Sequence, residues 1–249
     1  MGRGKQQSVA VDQTGWMIDN EIANFLLLHQ TEVLYMCMLG YTFMHGSKVF
    51  AAAGDRPVSY KLVSMILACT GGGILVPLFI NGIPVPLAND AYPIAILISF
   101  CIHHYFPIVG DVMKLAPAFK MVVILFYEMI RAKVVTTFTV GAAAAIAPST
   151  FSFPVFGPIM CGTIAGCGGA FLPLNKGLDP IASGMQTPMI TAFTGATAMH
   201  LFLNTSLSEG VVDAKSKAHL HLAVYFIAVG LVTGLGLSEK KEEVKTKKE

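Results

Sequence analysis

Cys69-Thr70-Gly71-Gly72-Gly73-Ile74-Leu75-Val76-Pro77-Leu78 is the stretch on which the reading of this chain turns. It returns as Cys167-Gly168-Gly169-Ala170-Phe171-Leu172-Pro173-Leu174. Each copy sets a glycine run inside an apolar segment and follows it with a Pro-Leu pair. Glycine is a poor helix former, roughly 1 kcal/mol worse than alanine per residue. The cost is explained where another backbone, an ion or a ligand must come very close. Pro77 and Pro173 each remove a backbone donor and free a carbonyl one turn earlier. Inside a membrane that carbonyl needs a partner, which water or a cation can supply. Two glycine-broken helices in two halves of one chain point to a permeation or substrate pathway at a repeat interface. Small-residue packing, here Gly162 with Gly166, is the structural alternative, and the two are compatible.

Working outward, the composition is that of an integral membrane protein. The 249 residues are 54% hydrophobic and 13% charged, with a mean hydropathy of +0.63. A soluble domain carries about 25% charged residues. Cys37, Cys69, Cys101, Cys161 and Cys167 all fall in apolar stretches, without metal-ligand spacing, and are expected to be reduced. Met1-Gly2-Arg3-Gly4-Lys5 leads into polar residues, so the first span is expected to direct insertion. No nucleophile triad, phosphate-cradling loop or zinc signature is present, and an enzyme is not expected. Nucleic-acid binding has no support beyond a basic tail.

Apolar segments lie at 22–47, 59–81, 91–109, 117–146, 151–174, 184–206 and 216–237. Each reaches the roughly 20 residues that a helix needs to cross the hydrocarbon core. The expected fold is therefore all-α, with seven transmembrane helices. Residues 1–21 form an N-terminal arm and 238–249 a basic tail. Lys240, Lys241, Lys245, Lys247 and Lys248 place that tail in the cytosol, and with seven spans the arm is lumenal. Lys48, Arg56, Lys61, Lys114, Lys120 and Lys176 fall on the tail's side, in agreement. The ending Lys245-Thr246-Lys247-Lys248-Glu249 resembles a dilysine retrieval signal of the endoplasmic reticulum.

The glycine stretches sit in the second and fifth spans, so equivalent helices cross in opposite directions. Met44-His45-Gly46-Ser47-Lys48-Val49-Phe50 faintly echoes Met129-Ile130-Arg131-Ala132-Lys133-Val134-Val135 in the preceding spans. The plan is two inverted three-helix repeats, 22–109 and 117–206, plus a seventh helix at 216–237. Glu128, Arg131 and Lys133 lie deep in the fourth span, where a charge costs roughly 2.5–3.5 kcal/mol. Glu128 and Arg131 share a helical face and can pair. Lys120 is about three turns before Arg131 and points the same way. Lys120, Arg131 and Lys133 together can hold a phosphorylated lipid head group. His103-His104-Tyr105 reads as an interfacial belt. Asp111 either draws cations to a mouth or caps a turn.

These features resemble the trimeric intracellular cation channels, the TRIC family, over most of 22–237. The resemblance is carried by the seven-span layout, the glycine stretches, Tyr105-Phe106-Pro107 with Asp111, Glu128-x-x-Arg131 and Ser216-Lys217-Ala218. It is closest to nematode B-type members. The family's Lys-Glu-Val run is altered here, with Tyr127 in place of the lysine and Met129 in place of the valine. The resemblance implies homotrimers of the endoplasmic or sarcoplasmic reticulum, one pore per protomer, passing potassium and sodium as counter-ions during calcium release. It implies phosphatidylinositol 4,5-bisphosphate near Arg131, with Lys120 or Lys133 standing in for the lysine that Tyr127 replaces. The pore would run between the helices carrying Gly71, Gly72, Gly73, Pro77, Gly166, Gly168, Gly169 and Pro173, with Arg131 and Lys133 near its constriction. On physics alone an inverted-repeat secondary transporter for a small solute or ion fits equally, and a lipid-organising scaffold is a third reading.

Overall fold

The computed structural model describes residues 13–172 and 177–236. Pro173, the retrieval-like tail and most of the N-terminal arm lie outside the described residues. Within them the chain is all-helical: α1 Glu21–Leu26, α2 Thr31–Ala53, α3 Val58–Phe79, α4 Val85–Ala88, α5 Ala91–Tyr105, α6 Val109–Leu115, α7 Pro117–Ala145, α8 Phe156–Cys167, α9 Thr187–Asn204 and α10 Ala214–Gly234. α7 is the central element, packed by α2, α6, α8, α9 and α10. Toward α9 and α10 it is closely packed: Ala132, Val135, Ala192, Ala196, Met199, Leu222, Ala223 and Phe226 form one buried cluster. The outside is apolar as well. Met36, Val63, Leu97, Met121, Val122, Met160, Phe193 and Val224 are all exposed, while Glu128, Arg131 and Lys217 are buried.

Four expectations about the helices need correction. The first apolar segment, 22–47, is not one helix. Asn20 caps α1 by accepting from the Ala23 amide at 2.9 Å. α1 stops before Leu28, whose φ of 57° no helix continues through. α2 then restarts at Thr31 and runs past 47 to Ala53. The third segment, 91–109, ends early at Tyr105, because Pro107 biases Phe106 away from helical backbone (φ −127°, ψ 67°). The fifth, 151–174, holds a helix of only 12 residues followed by a 3-10 turn at Gly168–Phe171. That helix is about 18 Å long, short of the hydrocarbon core. Among the described residues, α3 and α10 are the helices long and apolar enough to cross a membrane by themselves.

The fourth correction concerns the opening motif. The two glycine stretches predict two broken helices, and only one helix is broken. α3 runs without interruption through Gly71, Gly72 and Gly73 and carries Pro77 inside its last turn. Pro77 leaves the Gly73 carbonyl without its helical donor, and the Pro77 carbonyl accepts from Ile80 and Gly82 as the chain turns. α8, by contrast, ends at Cys167. The two stretches then meet backbone to backbone. A Cβ on Gly71 would lie 2.5 Å from Gly169 Cα, and one on Gly72 would strike the Ala165 backbone. Glycine in α3 therefore serves as a flat contact surface for the broken end of α8, in the manner of small-residue helix packing.

Candidate functional site

Helix α7 carries Glu128 and Arg131 one turn apart, and they pair as expected, Nη1 to Oε2 at 2.5 Å. Both are almost fully buried, at 5% and 3% exposure. A buried ion pair is viable only if its remaining donors and acceptors are satisfied, and Arg131 bonds through all three of its side-chain nitrogens. Its Nε donates to the Gly166 carbonyl at 3.1 Å. Its Nη2 donates to the Pro188 carbonyl at 2.7 Å and to Thr191 Oγ1. The Phe226 ring lies under the guanidinium, 4.3 Å from centroid to Cζ. One side chain of α7 thus ties together the broken end of α8, the first turn of α9 and the middle of α10. The Gly166 carbonyl belongs to the last turn of α8, the negative end of that helix dipole, where a cation is favoured. Glu128 fits because α10 presents Gly230 to it. A Cβ there would lie 2.8 Å from the carboxylate.

Two cavities of about 260 Å³ each reach this centre from the end of the bundle where α7 begins. The first is lined by Lys48, Lys120, Tyr127, Glu128 and Arg131, with Gly230 and Gly234 of α10. The second is lined by Tyr41, His45, Lys48, Tyr127, Gly72 and the Gly166–Ala170 backbone. Tyr127 is their common wall. It stacks on Tyr41 at 5.2 Å between centroids, and the Lys48 ammonium lies 5.5 Å over its ring. A third cavity, of about 330 Å³, enters where α7 and α9 end, lined by Thr139, Ala143, His200 and Asn204. Thr139 is about 12 Å beyond Arg131 along α7 and about 80° around it. Val135 lies between them, fully buried. Thr139 Oγ1 and Thr197 Oγ1 are buried polar atoms lacking a hydrogen-bond partner. Such atoms mark places where water or a polar ligand belongs.

The sequence-predicted residues separate accordingly. Lys120, Tyr127, Glu128 and Arg131 come together in the first cavity, and Gly72, Gly166, Gly168 and Gly169 line the second. Gly71 and Gly73 lie in the α3 contact, Gly73 against Val85. Lys133 is not among the residues lining either cavity. Two residues beyond Arg131, it turns about 200° around α7 to another face. Its expected place beside Arg131 at the constriction is therefore corrected. Asp111 sits exposed in the first turn of α6, outside both cavities. His103 is not interfacial but buried, its Nε2 bonded to the Phe43 carbonyl at 2.9 Å. The small-residue packing reading also holds, since a Cβ on Gly162 would meet Thr139 and Ala196. All five cysteines are free, and Cys167 lines the second cavity. Nothing in the sequence marks Lys48, His45, Thr191 or Thr139 as a site residue. Lys48 reads there only as a loop charge.

No protein-family model matches this sequence, and no curated protein matches it. Solved structures do match in fold, and they are helical cation channels. A trimeric intracellular cation channel from C. elegans in the absence of Ca2+ superposes with a TM-score of 0.60 at 16% identity, over 80% of this chain and 88% of that one. A TRIC counter-ion channel active in calcium release gives 0.61 at 14% identity, over 88% and 96%. A TRIC cation channel studied for conductance gives 0.58 at 14% identity, over 84% and 92%. The fold of this chain is thus the fold of those channels, across nearly their whole length.

Proposed function

We propose that this protein is a cation channel with one pore in each protomer, running past the buried Glu128–Arg131 pair of α7. The observation that carries the proposal is the pair of cavities that reach the buried Glu128–Arg131 pair from the end of the bundle where α7 begins, inside a fold shared with solved cation channels. α2, α3 and α5 form one three-helix repeat, α7, α8 and α9 its inverted twin, and α10 the seventh span. The apolar exterior, the buried charges and the glycine-to-glycine meeting of α3 with α8 support that plan. Lys48 and Lys120 at one end set the orientation, with the α7 start and the tail cytosolic and the arm lumenal. The fold neighbours, trimeric intracellular cation channels and counter-ion channels in calcium release, support a homotrimer and a counter-ion role; the reading extends to potassium and sodium flow in the endoplasmic or sarcoplasmic reticulum.

Positive side chains around a cation path need a counter-charge. Glu128 provides one, and we assign a second to phosphatidylinositol 4,5-bisphosphate bound in the first cavity. Lys48 and Lys120, with Arg131 behind them, form its phosphate-binding wall. Lys48 brings an ammonium over the ring of Tyr127, and so restores a cation at the position where the sequence has a tyrosine. In this reading the lipid draws on Arg131, loosens its hold on the Gly166 and Pro188 carbonyls, and leaves those carbonyls to solvate a passing ion. The test is a planar-bilayer recording of purified protein in asymmetric potassium chloride, with and without the lipid. Unitary steps reversing near the potassium potential are expected, with weaker cation selectivity when the lipid is absent. Cavities closed at a buried ion pair also suit an inverted-repeat transporter. Saturable counterflow without unitary steps would establish that reading instead.

A further inference from the structure

Threonines in these helices bond their hydroxyl to the carbonyl one turn back, as Thr42, Thr70, Thr163, Thr191, Thr194 and Thr233 do. Thr139 of α7 and Thr197 of α9 do not, and both Oγ1 atoms are buried without a partner. Thr139 is 1% exposed and lines the cavity of about 330 Å³ at the end of the bundle where α7 and α9 stop. Gly162 of α8 makes room for its hydroxyl, since a Cβ there would fall on Thr139 Oγ1. Thr197 lies one turn before His200 on the α9 stripe that continues to Asn204, and His200 and Asn204 line the same cavity. The Pro154 carbonyl only accepts, so His200 Nε2 carries the proton of their 2.6 Å bond. Asn204 Nδ2 donates to the His200 carbonyl at 2.9 Å and approaches His200 Nδ1 at 3.2 Å. These bonds fit a neutral imidazole and leave Asn204 Oδ1 as the open acceptor of the amide. Ala144 is also in the wall, and the residue four places on is Pro148, which has no amide to offer its carbonyl. α7, with 29 residues, and α9, with 18, thus bring the negative ends of two helix dipoles to one cavity. None of the lining residues is charged.

We propose that this cavity binds one monovalent metal cation of the sodium and potassium class, with Thr139 Oγ1 and Asn204 Oδ1 as oxygen ligands and water filling the remaining positions. The sign of the ligand follows from the helix ends. An anion would face two negative dipole ends with no cationic side chain to offset them. The charge number follows from the ligands. Calcium and magnesium sites are built on carboxylates, and no carboxylate is in this wall. Among the described residues, no group of three or more His, Cys, Asp and Glu stands together to hold a metal ion. Neutral hydroxyl and carbonyl oxygens instead replace part of the hydration shell of a monovalent ion. A water molecule takes about 30 Å³ in the liquid, so the cavity has room for the ion and retained water. It shares no lining residue with the two cavities at the Glu128–Arg131 pair. The inference holds for a channel and for a transporter alike and rests on neither.

The probe is radioactive rubidium ion, a potassium surrogate, in a scintillation-proximity assay of the purified full-length protein, with ionic strength held constant by N-methylglucamine chloride. Binding should be saturable and displaced by potassium or sodium chloride. Thr139→Val keeps the side-chain shape and removes the hydroxyl, and should weaken binding by about tenfold. Asn204→Leu should do the same, and Thr139→Ser should restore wild-type binding. Thr163→Val, whose hydroxyl is already taken by the Ile159 carbonyl, should leave binding unchanged. Thr139→Val removes an unpaired buried hydroxyl, so without metal cations its thermal midpoint should match or exceed that of the wild type. Potassium chloride should then raise the midpoint of the wild type more than that of the variant. Binding of equal strength in the wild type, Thr139→Val and Asn204→Leu would overturn the proposal. So would the absence of saturable binding, or displacement of rubidium by calcium at lower concentration than by potassium, which would make the site divalent. Unitary conductance in a bilayer is read separately, so failure here leaves the channel reading standing.

Discussion

Replacing Arg131 by methionine removes the one side chain that holds four helices, and its effect can be worked from the contacts. Glu128 would stay buried with its ion-pair partner gone. Breaking a buried pair on one side costs roughly 3–5 kcal/mol, because the remaining charge is uncompensated. The Gly166 and Pro188 carbonyls also lose their donor. Each buried unsatisfied group costs about 1–3 kcal/mol, and part of that is already inside the first figure. For a chain of this size 1 kcal/mol moves the unfolding midpoint by about 2–4 °C. Arg131→Met should therefore lower it by roughly 6–20 °C. Glu128→Leu with Arg131→Met removes both charges and should recover most of the loss. The assay is thermal unfolding of detergent-solubilised protein followed by size exclusion. If the single variant melts with the wild type, or the double variant lies below the single, the idea that Arg131 clamps these helices is wrong.

The same geometry yields three other outcomes. Gly72→Ala should destabilise by about 1–3 kcal/mol, since its Cβ meets the Ala165 backbone, whereas Gly141→Ala, with open space around it, should be neutral or stabilise by up to about 1 kcal/mol; thermal midpoints compare the two. Lys48→Gln and Lys120→Gln should each reduce phosphatidylinositol 4,5-bisphosphate retention in native mass spectrometry, and Lys133→Gln should leave it unchanged; loss in Lys133→Gln alone would misplace the lipid. A bulky thiol reagent applied from the α7-start side should reduce conductance through Cys167, which lines the second cavity, and Cys167→Ser should abolish that block. Persistence of the block in Cys167→Ser would remove the cavity from the ion path.

Spacing along one helix is legible in the sequence. Glu128 and Arg131 are three residues apart, and helical geometry alone pairs them. Neighbours brought in by packing are not legible. Lys48 is 83 residues from Arg131 (131 − 48), and only the α2–α7 contact sets its ammonium over Tyr127. Lys133 fails the opposite way. Closeness in sequence puts it beside Arg131, but two residues along a helix is about 200° of rotation, and it faces elsewhere. The helix boundaries at Leu28 and Phe106 are local backbone events inside apolar runs, invisible to hydropathy.

The glycine stretches show where repeat reasoning stops. Nearly the same words, Cys-Thr-Gly-Gly-Gly and Cys-Gly-Gly, give a continuous helix in one half and a broken one in the other. Glycine removes the side chain that would hold two backbones apart, but it does not by itself decide which of the two bends. One difference between the two ends is Arg131. Its Nε takes the Gly166 carbonyl, one residue before α8 ends, and stabilises an exposed helix terminus there. The corresponding place in the first half's echo, Met44-His45-Gly46 against Met129-Ile130-Arg131, is Gly46, which has no side chain to offer. A helix with no cation to receive its end keeps its own hydrogen bonds. On the proposed two-repeat plan, the end of α8 is thus held by a cation that the first half lacks at the matching position.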